Sequence, residues 1–216
     1  MIKAVLFDLD GTLLDRDASV LKFIADQAER LGIADKEKYI HRFIELDARG
    51  YVWKDKVYQQ LLREFDIPQM TWENLLEDYL ESFHKHGVPF PNLIEMLDGL
   101  KAAGHKLGLI TNGFERMQMS NIQALGIADY FDCILISERE GIKKPDSMIF
   151  QKALKVLGTD PAESIYIGDH PDNDMKAAKA VGMKTMWKKD VQWESAEADH
   201  VIDDLEEVLA IITSDK

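Results

Sequence analysis

From Leu93 onward the chain repeats one rhythm, an amphipathic helix, a glycine and a short apolar run, and this alternation constrains the fold more than any other feature. Helices around 115–125, 146–157 and 172–181 end at Gly126, Gly158 and Gly182, where a left-handed cap favours glycine. The intervening strands are read at Leu107 to Ile110, Asp132 to Ile136, Ser164 to Ile167, Lys184 to Trp187 and His200 to Ile202, with a final helix over Leu205 to Ile212. Residues 3 to 7 form the first strand, which stops abruptly at Asp8. Alternating units of this kind predict an α/β fold, a doubly wound and mostly parallel sheet with helices on both faces.

One stretch breaks the rhythm. Between about Asp17 and Phe83, apolar residues recur at helical spacing only: Val20, Ile24 and Ala28; Tyr39 and Phe43; Val57, Tyr58 and Leu61; Leu75, Tyr79 and Phe83. Four helices and no strand are predicted, inserted after the first strand as a helical domain over residues 16–87. Residues 1–15 and 88–216 form the α/β core, with hinges near 14–17 and 84–90.

Composition narrows the function. With 46% hydrophobic and 30% charged residues the chain can bury a core. Against 39 Asp+Glu stand 26 Lys+Arg, a net charge of −13 that repels phosphate backbones and anionic membranes, so neither a nucleic acid nor a membrane is the expected partner. Cys133 is the single cysteine, set among apolar neighbours, which excludes an internal disulfide and fits a cytoplasmic protein. The apolar run at the N-terminus is too short for a signal peptide or a membrane span. The expected assembly is a monomer or weak homodimer.

In an open parallel sheet, ligands bind at the carboxyl ends of the strands, and four polar clusters fall there. They are Asp8-Leu-Asp-Gly-Thr12, Thr111-Asn-Gly113, Lys143-Lys-Pro145 and Gly168-Asp-His-Pro-Asp-Asn-Asp174. Singly, each reads as a turn or a helix cap. Together they offer carboxylates after two strands, a hydroxyl and amide after another, and a lysine. Two unit charges 4 Å apart cost about 4 kcal/mol at an effective dielectric of 20, a cost that a hard cation removes. An all-oxygen site of this kind suits Mg²⁺ sharing its shell with a substrate phosphate, and the hydroxyl, amide and lysine are donors for the other phosphate oxygens.

The string Asp8-Leu-Asp-Gly-Thr-Leu-Leu-Asp15, with Thr111-Asn-Gly113, Lys144-Pro145 and Gly168-Asp169 through Asp174, resembles the haloacid dehalogenase superfamily in its phosphatase branch. The resemblance runs from residue 3 to about 203, and the helical insertion looks like that family's C1 cap. The stretch through Tyr130-Phe-Asp132, Ser137-Glu138 and Lys144-Pro-Asp146 is similar to pyrimidine 5′-nucleotidase and related small phosphatases.

The resemblance implies that Asp8 attacks phosphorus and becomes an aspartyl phosphate, while Asp10 protonates the leaving alkoxide and then deprotonates water. A spacing of two lets both carboxylates face one cavity. It implies phosphate binding by Thr111, Asn112 and Lys144, with Lys144 also restraining Asp8. Mg²⁺ would be held by Asp8 and Asp169 through carboxylates, by Asp10 through its backbone carbonyl, and by Asp174 through water or as an orienting group; Asp172 and Asn173 serve equally as the start of the next helix.

The implied function is a Mg²⁺-dependent phosphomonoesterase acting on a small phosphorylated metabolite, a nucleoside monophosphate or sugar phosphate. Asp10 favours phosphoester over carbon–halide chemistry. Two alternatives stand beside it, a phosphoglucomutase-like transfer and a non-catalytic sensor of phosphorylated ligands. Outside these clusters, His84 and His86 are read as hinge residues rather than metal ligands, and His170 as a loop histidine. Gly50-Tyr-Val-Trp-Lys54 is read as a packed connector, with an alternative in which a ring stacks on a base and Lys54 meets a second anion.

Overall fold

A computed structural model describes residues 1–214. Six strands form one sheet: β1 (Ala4–Phe7), β2 (Lys106–Thr111), β3 (Cys133–Ile136), β4 (Ser164–Gly168), β5 (Lys184–Lys188) and β6 (His200–Ile202). Their order is β3-β2-β1-β4-β5-β6 and every pairing is parallel. Strand β1 is buried throughout, which is why its sequence is continuously apolar rather than alternating. The chain winds outward from β1 through β2 to β3, then returns to β4 on the other side. That reversal makes the carboxyl ends of β1 and β4 the switch point where such sheets open a crevice.

Two compact units divide the chain, residues 1–15 with 89–216, and residues 16–88. In the first, helices α5 (Leu93–Ala102), α6 (Glu115–Ala124), α7 (Ser137–Glu140), α8 (Ser147–Leu157), α9 (Ala177–Val181) and α10 (Glu207–Ser214) accompany the sheet. One sheet face, with Leu6, Ile110, Tyr166 and Trp187, packs on Ile149, Phe150, Ala153 and Leu154 of α8 and on Ala177 and Ala178 of α9. Phe150 meets Tyr166 edge to face, ring centres 5.0 Å apart.

The second unit is wholly helical, α1 (Arg16–Arg30), α2 (Lys36–Asp47), α3 (Lys54–Glu64) and α4 (Trp72–Ser82). Buried residues recur on one stripe of each helix, among them Phe23 and Ile24, Tyr39 and Phe43, Tyr58 and Leu61, and Leu75 and Tyr79. Gln27 serves the phenols buried there: its carbonyl accepts from Tyr39 and Tyr58, and its amide donates to Asp78. Thr71 and Asn74 close a reciprocal cap that starts α4.

Three elements differ from the sequence reading. The helix expected over 172–181 begins as a wide π turn at Pro171–Lys176 and only then becomes α9. The last helix starts at Glu207 rather than Leu205, because the Glu207 carboxylate reaches back to the amides of Asp203 and Asp204. Helix α7, four residues long, is too short for periodicity to register. No helix among the described residues is long and apolar enough to cross a membrane. Replacing the fully buried Phe150 by Ala removes the ring joining α8 to the sheet; Phe150→Ala is expected to cost about 3–5 kcal/mol in a urea titration.

Candidate active site

Strand β1 delivers Asp8, whose amide donates to the Ile167 carbonyl of β4 at 2.9 Å. The next turn winds tightly about Leu9: its carbonyl accepts from the amides of Thr12, Leu13 and Leu14, and Gly11 donates to Leu14. This small loop fixes the backbone of Asp10. Gly11 has φ +81°, and a Cβ there would lie 2.6 Å from an Asp169 oxygen, so only glycine fits between the two acidic segments.

Lys144 is the centre of charge. Its ammonium lies 2.7 Å from Asp8 Oδ1, 2.6 Å from Asp174 Oδ1 and 3.1 Å from the Tyr166 hydroxyl, and the residue is 4% exposed. Burial alone lowers a lysine pKa, but the carboxylates of Asp174 and Asp8 outweigh it and hold the ammonium well above its ordinary value. The Asn112 amide secures the loop that carries this lysine, donating to the Lys144 carbonyl at 3.0 Å and accepting from the Lys144 amide at 2.9 Å. Both ends of Asn112 are thus engaged by backbone, and its amide nitrogen keeps a second hydrogen.

Thr111, at the end of β2, is 1% exposed and accepts from Gln118 Nε2 at 2.6 Å. The same nitrogen donates to Asp10 Oδ2 at 2.7 Å. Gln118, from α6, is a site residue that sequence reasoning missed; an amide in an amphipathic helix carries no chemical signature of its own.

Asp169 follows β4. Asp174 comes from the π turn, where Asp174 and Met175 both donate to the His170 carbonyl. The wide turn brings Asp174 fully inside, its second oxygen accepting from the His170 amide at 3.0 Å. A Cβ on Gly168 would meet the Asp174 side chain at 2.6 Å. His170 caps the turn, its Nδ1 accepting from Asp172 and Asn173, and Asp172 lies exposed beside Lys176.

The structure therefore brings Asp8, Asp10, Thr111, Lys144, Asp169 and Asp174 together at the switch point. Asp8, Asp169 and Asp174 each offer an oxygen within 4.8 Å of the others. Burial first, then Asp174 and Asp10, push the Asp8 carboxyl up to about 7 against the pull of Lys144. Burial, reinforced by Asp174 and Asp8, pushes Asp169 up to about 9. One ammonium does not neutralise this cluster. Oxygen donors alone, clustered and driven toward protonation, fit a hard divalent cation.

The arrangement agrees with what known proteins share with this chain. The model of the haloacid dehalogenase-like hydrolase family matches residues 5–188, which include each of these side chains. The chain belongs to that family. A glyceraldehyde 3-phosphate phosphatase of Pyrococcus abyssi is 33% identical over 207 residues, covering 88% of this chain and 82% of the relative. A phosphoglycolate phosphatase of Aquifex aeolicus is 30% identical, covering 85% and 83%. The crystal structure of a HAD phosphatase from Thermococcus onnurineus superposes with a TM-score of 0.69 at 29% identity, covering 98% of each chain. Within the haloacid dehalogenase-like hydrolases this chain is a phosphatase, so the non-catalytic sensor falls away.

Other residues singled out by sequence lie in ordinary surroundings. His86 packs on Phe23 and faces Asp26, and among the described residues neither it nor His84 joins a cluster of metal donors. Lys54, 2% exposed, is ion-paired with Asp47, which also holds Arg16 at 2.7 Å. Its ammonium is tied to Asp47 inside the helical unit. Cys133 is buried, and burial pushes its thiol up to about 11. A second residue missed by sequence is Lys188, 5% exposed at the end of β5 with its ammonium 3.5 Å from the Phe90 ring centre.

Asp8 and Asp169 bind protons more tightly folded than unfolded, so in the metal-free protein these two carboxyls make stability fall as pH rises from about 4 through 7 to about 9. A cation replaces those protons. The melting temperature of chelator-treated protein should fall as pH rises from about 5.5 to about 9, and Mg²⁺ should raise it more at the alkaline end.

Proposed function

We propose that this phosphatase hydrolyses small phosphomonoesters through an aspartyl-phosphate intermediate with Mg²⁺ as cofactor. The observation that carries the reading is the buried Lys144 ammonium joining Asp8 and Asp174, with Asp10 on the same tight loop as Asp8. Lys144 holds Asp8 with one oxygen turned to its ammonium, so the carboxylate approaches phosphorus in a fixed orientation. As the Asp8 oxygen bonds to phosphorus, the ester P–O bond breaks, and its electron pair passes to the leaving oxygen, which takes the proton of Asp10. Asp10 then takes a proton from the water that hydrolyses the acyl phosphate. Thr111 donates its hydroxyl hydrogen to a phosphoryl oxygen, since its own oxygen already accepts from Gln118.

Asp8 and Asp169 would hold Mg²⁺ through carboxylates and Asp10 through its carbonyl. Asp174, with both oxygens engaged, would orient Lys144 and act on the ion through water. The ion would supply neutralisation of the acidic cluster and of the phosphate charge.

The named relatives support a short sugar phosphate or a phosphorylated acid as substrate. A nucleoside monophosphate is the alternative substrate class.

A phosphate-release screen over sugar phosphates, phosphorylated hydroxy acids and nucleotides, ranked by kcat/KM and run with and without chelator, tests the assignment. Asp8→Asn is expected to abolish turnover and Asp10→Asn to lower it by roughly 10²- to 10⁴-fold. Full activity of Asp8→Asn, with deamidation excluded, would overturn the mechanism.

A further inference from the structure

We infer that Gln118 is a positioning residue that aims Asp10 at the leaving oxygen, so that its contribution grows with the difficulty of expelling the alcohol. The inference rests on the proposed role of Asp10. Gln118 is 3% exposed, and its Nε2 lies 2.7 Å from Asp10 Oδ2, 2.6 Å from Thr111 Oγ1 and 3.3 Å from the Asn112 carbonyl. An amide nitrogen has two hydrogens, enough for Asp10 and Thr111 together. The acceptors Asp10 Oδ2 and the Asn112 carbonyl call for the nitrogen end of Gln118 at the site, and its carbonyl lies 3.5 Å from Nδ2 of Asn121, itself buried on α6.

Two consequences follow from donor and acceptor roles. With Oδ2 accepting from Gln118, the proton Asp10 delivers resides on Oδ1, so the carboxyl has one working oxygen rather than two exchanging by rotation. Thr111 Oγ1 accepts from the same amide, and its own hydrogen, which meets the Asn112 carbonyl only at a long 3.5 Å, turns to the phosphoryl group. Gln118 touches neither phosphorus nor the leaving group. It ties the proton donor on the β1 loop to a phosphate-binding hydroxyl on β2, residues 101 positions apart, which β-sheet pairing alone leaves at independent rotamers.

The transferred proton matters most when the departing oxygen is strongly basic. An alkyl phosphate needs protonation as the P–O bond breaks, whereas p-nitrophenolate departs without it. A residue serving only the packing of α6 would affect both substrates alike, and a residue aiming the acid would not. The measure is kcat/KM, which covers steps up to release of the alcohol and excludes later hydrolysis of the aspartyl phosphate.

The test compares wild type, Gln118→Met and Gln118→Glu with p-nitrophenyl phosphate and with the best alkyl phosphate from the screen. Met matches the volume without a donor; Glu keeps the shape but presents oxygen to the Asp10 carboxylate. Both variants are expected to lose about 10²-fold in kcat/KM on the alkyl ester and no more than about 10-fold on the aryl ester, with the alkyl KM changed less than kcat. Asp10→Asn should show the same bias toward the aryl ester. Equal losses on both esters in folded variants, judged by unchanged melting temperatures, would overturn the inference, as would wild-type alkyl activity in Gln118→Met. If Asp10→Asn itself shows no leaving-group bias, the role of Asp10 fails instead, and Gln118 with it. Should Gln118→Met melt early, Gln118→Glu alone carries the comparison.

Discussion

The interaction on which the site depends is the Lys144 ammonium held between Asp8 and Asp174. A lysine this deeply buried loses its hydration, and only close carboxylates keep it charged. Three separate pieces of chain must therefore meet: the end of β1, the loop before α8, and the π turn after β4. Each is pinned by its own backbone hydrogen bonds. Leu9 gathers the first loop, Asn112 clasps the second, and His170 anchors the third. Removing Lys144 would leave Asp8 and Asp174 facing one another without a counter-charge, so the fold and the site share the same bonds.

Lys144 balances only part of the negative charge. Asp8, Asp169 and Asp174 crowd within reach of one ion, and two of them are driven toward protonation. The parallel sheet explains why the crowding is tolerated. It brings successive strand ends to one edge, where Lys144 holds Asp8 and Asp174 and the His170 amide holds the second oxygen of Asp174. The unmet charge suits a hard divalent cation. The helical unit is arranged differently: one carboxylate, Asp47, pairs with both Arg16 and Lys54, and Gln27 satisfies its buried phenols.

Much of this was legible along the chain, because some signals are local. A buried parallel strand is apolar throughout, a helix ending in a left-handed residue takes glycine, and an insertion without strands stands out by its period. All six strands and the four long helices of residues 16–88 follow from such patterns, with ends shifted by a residue or two. A lysine before a proline or two carboxylates at spacing two say little singly, but four polar clusters at four strand ends, in the order of a known family, point to Asp8, Asp10, Lys144 and Asp169 before any contact is known. Asp174 was named too, although its direct tie to Lys144 emerges only in three dimensions.

The sequence by itself determined the layered architecture and the inventory of charged groups, since both depend on residue type and short-range order. Tertiary structure alone decided the partners. Gln118 reaches Asp10 across 108 positions, Asn112 grips a loop 32 residues away, and Lys54 turns inward to Asp47. An amide or an ammonium is chemically the same on a surface and in a core. What it does is set by the distance and desolvation that folding imposes, and neither is written in the residue or its neighbours in the chain.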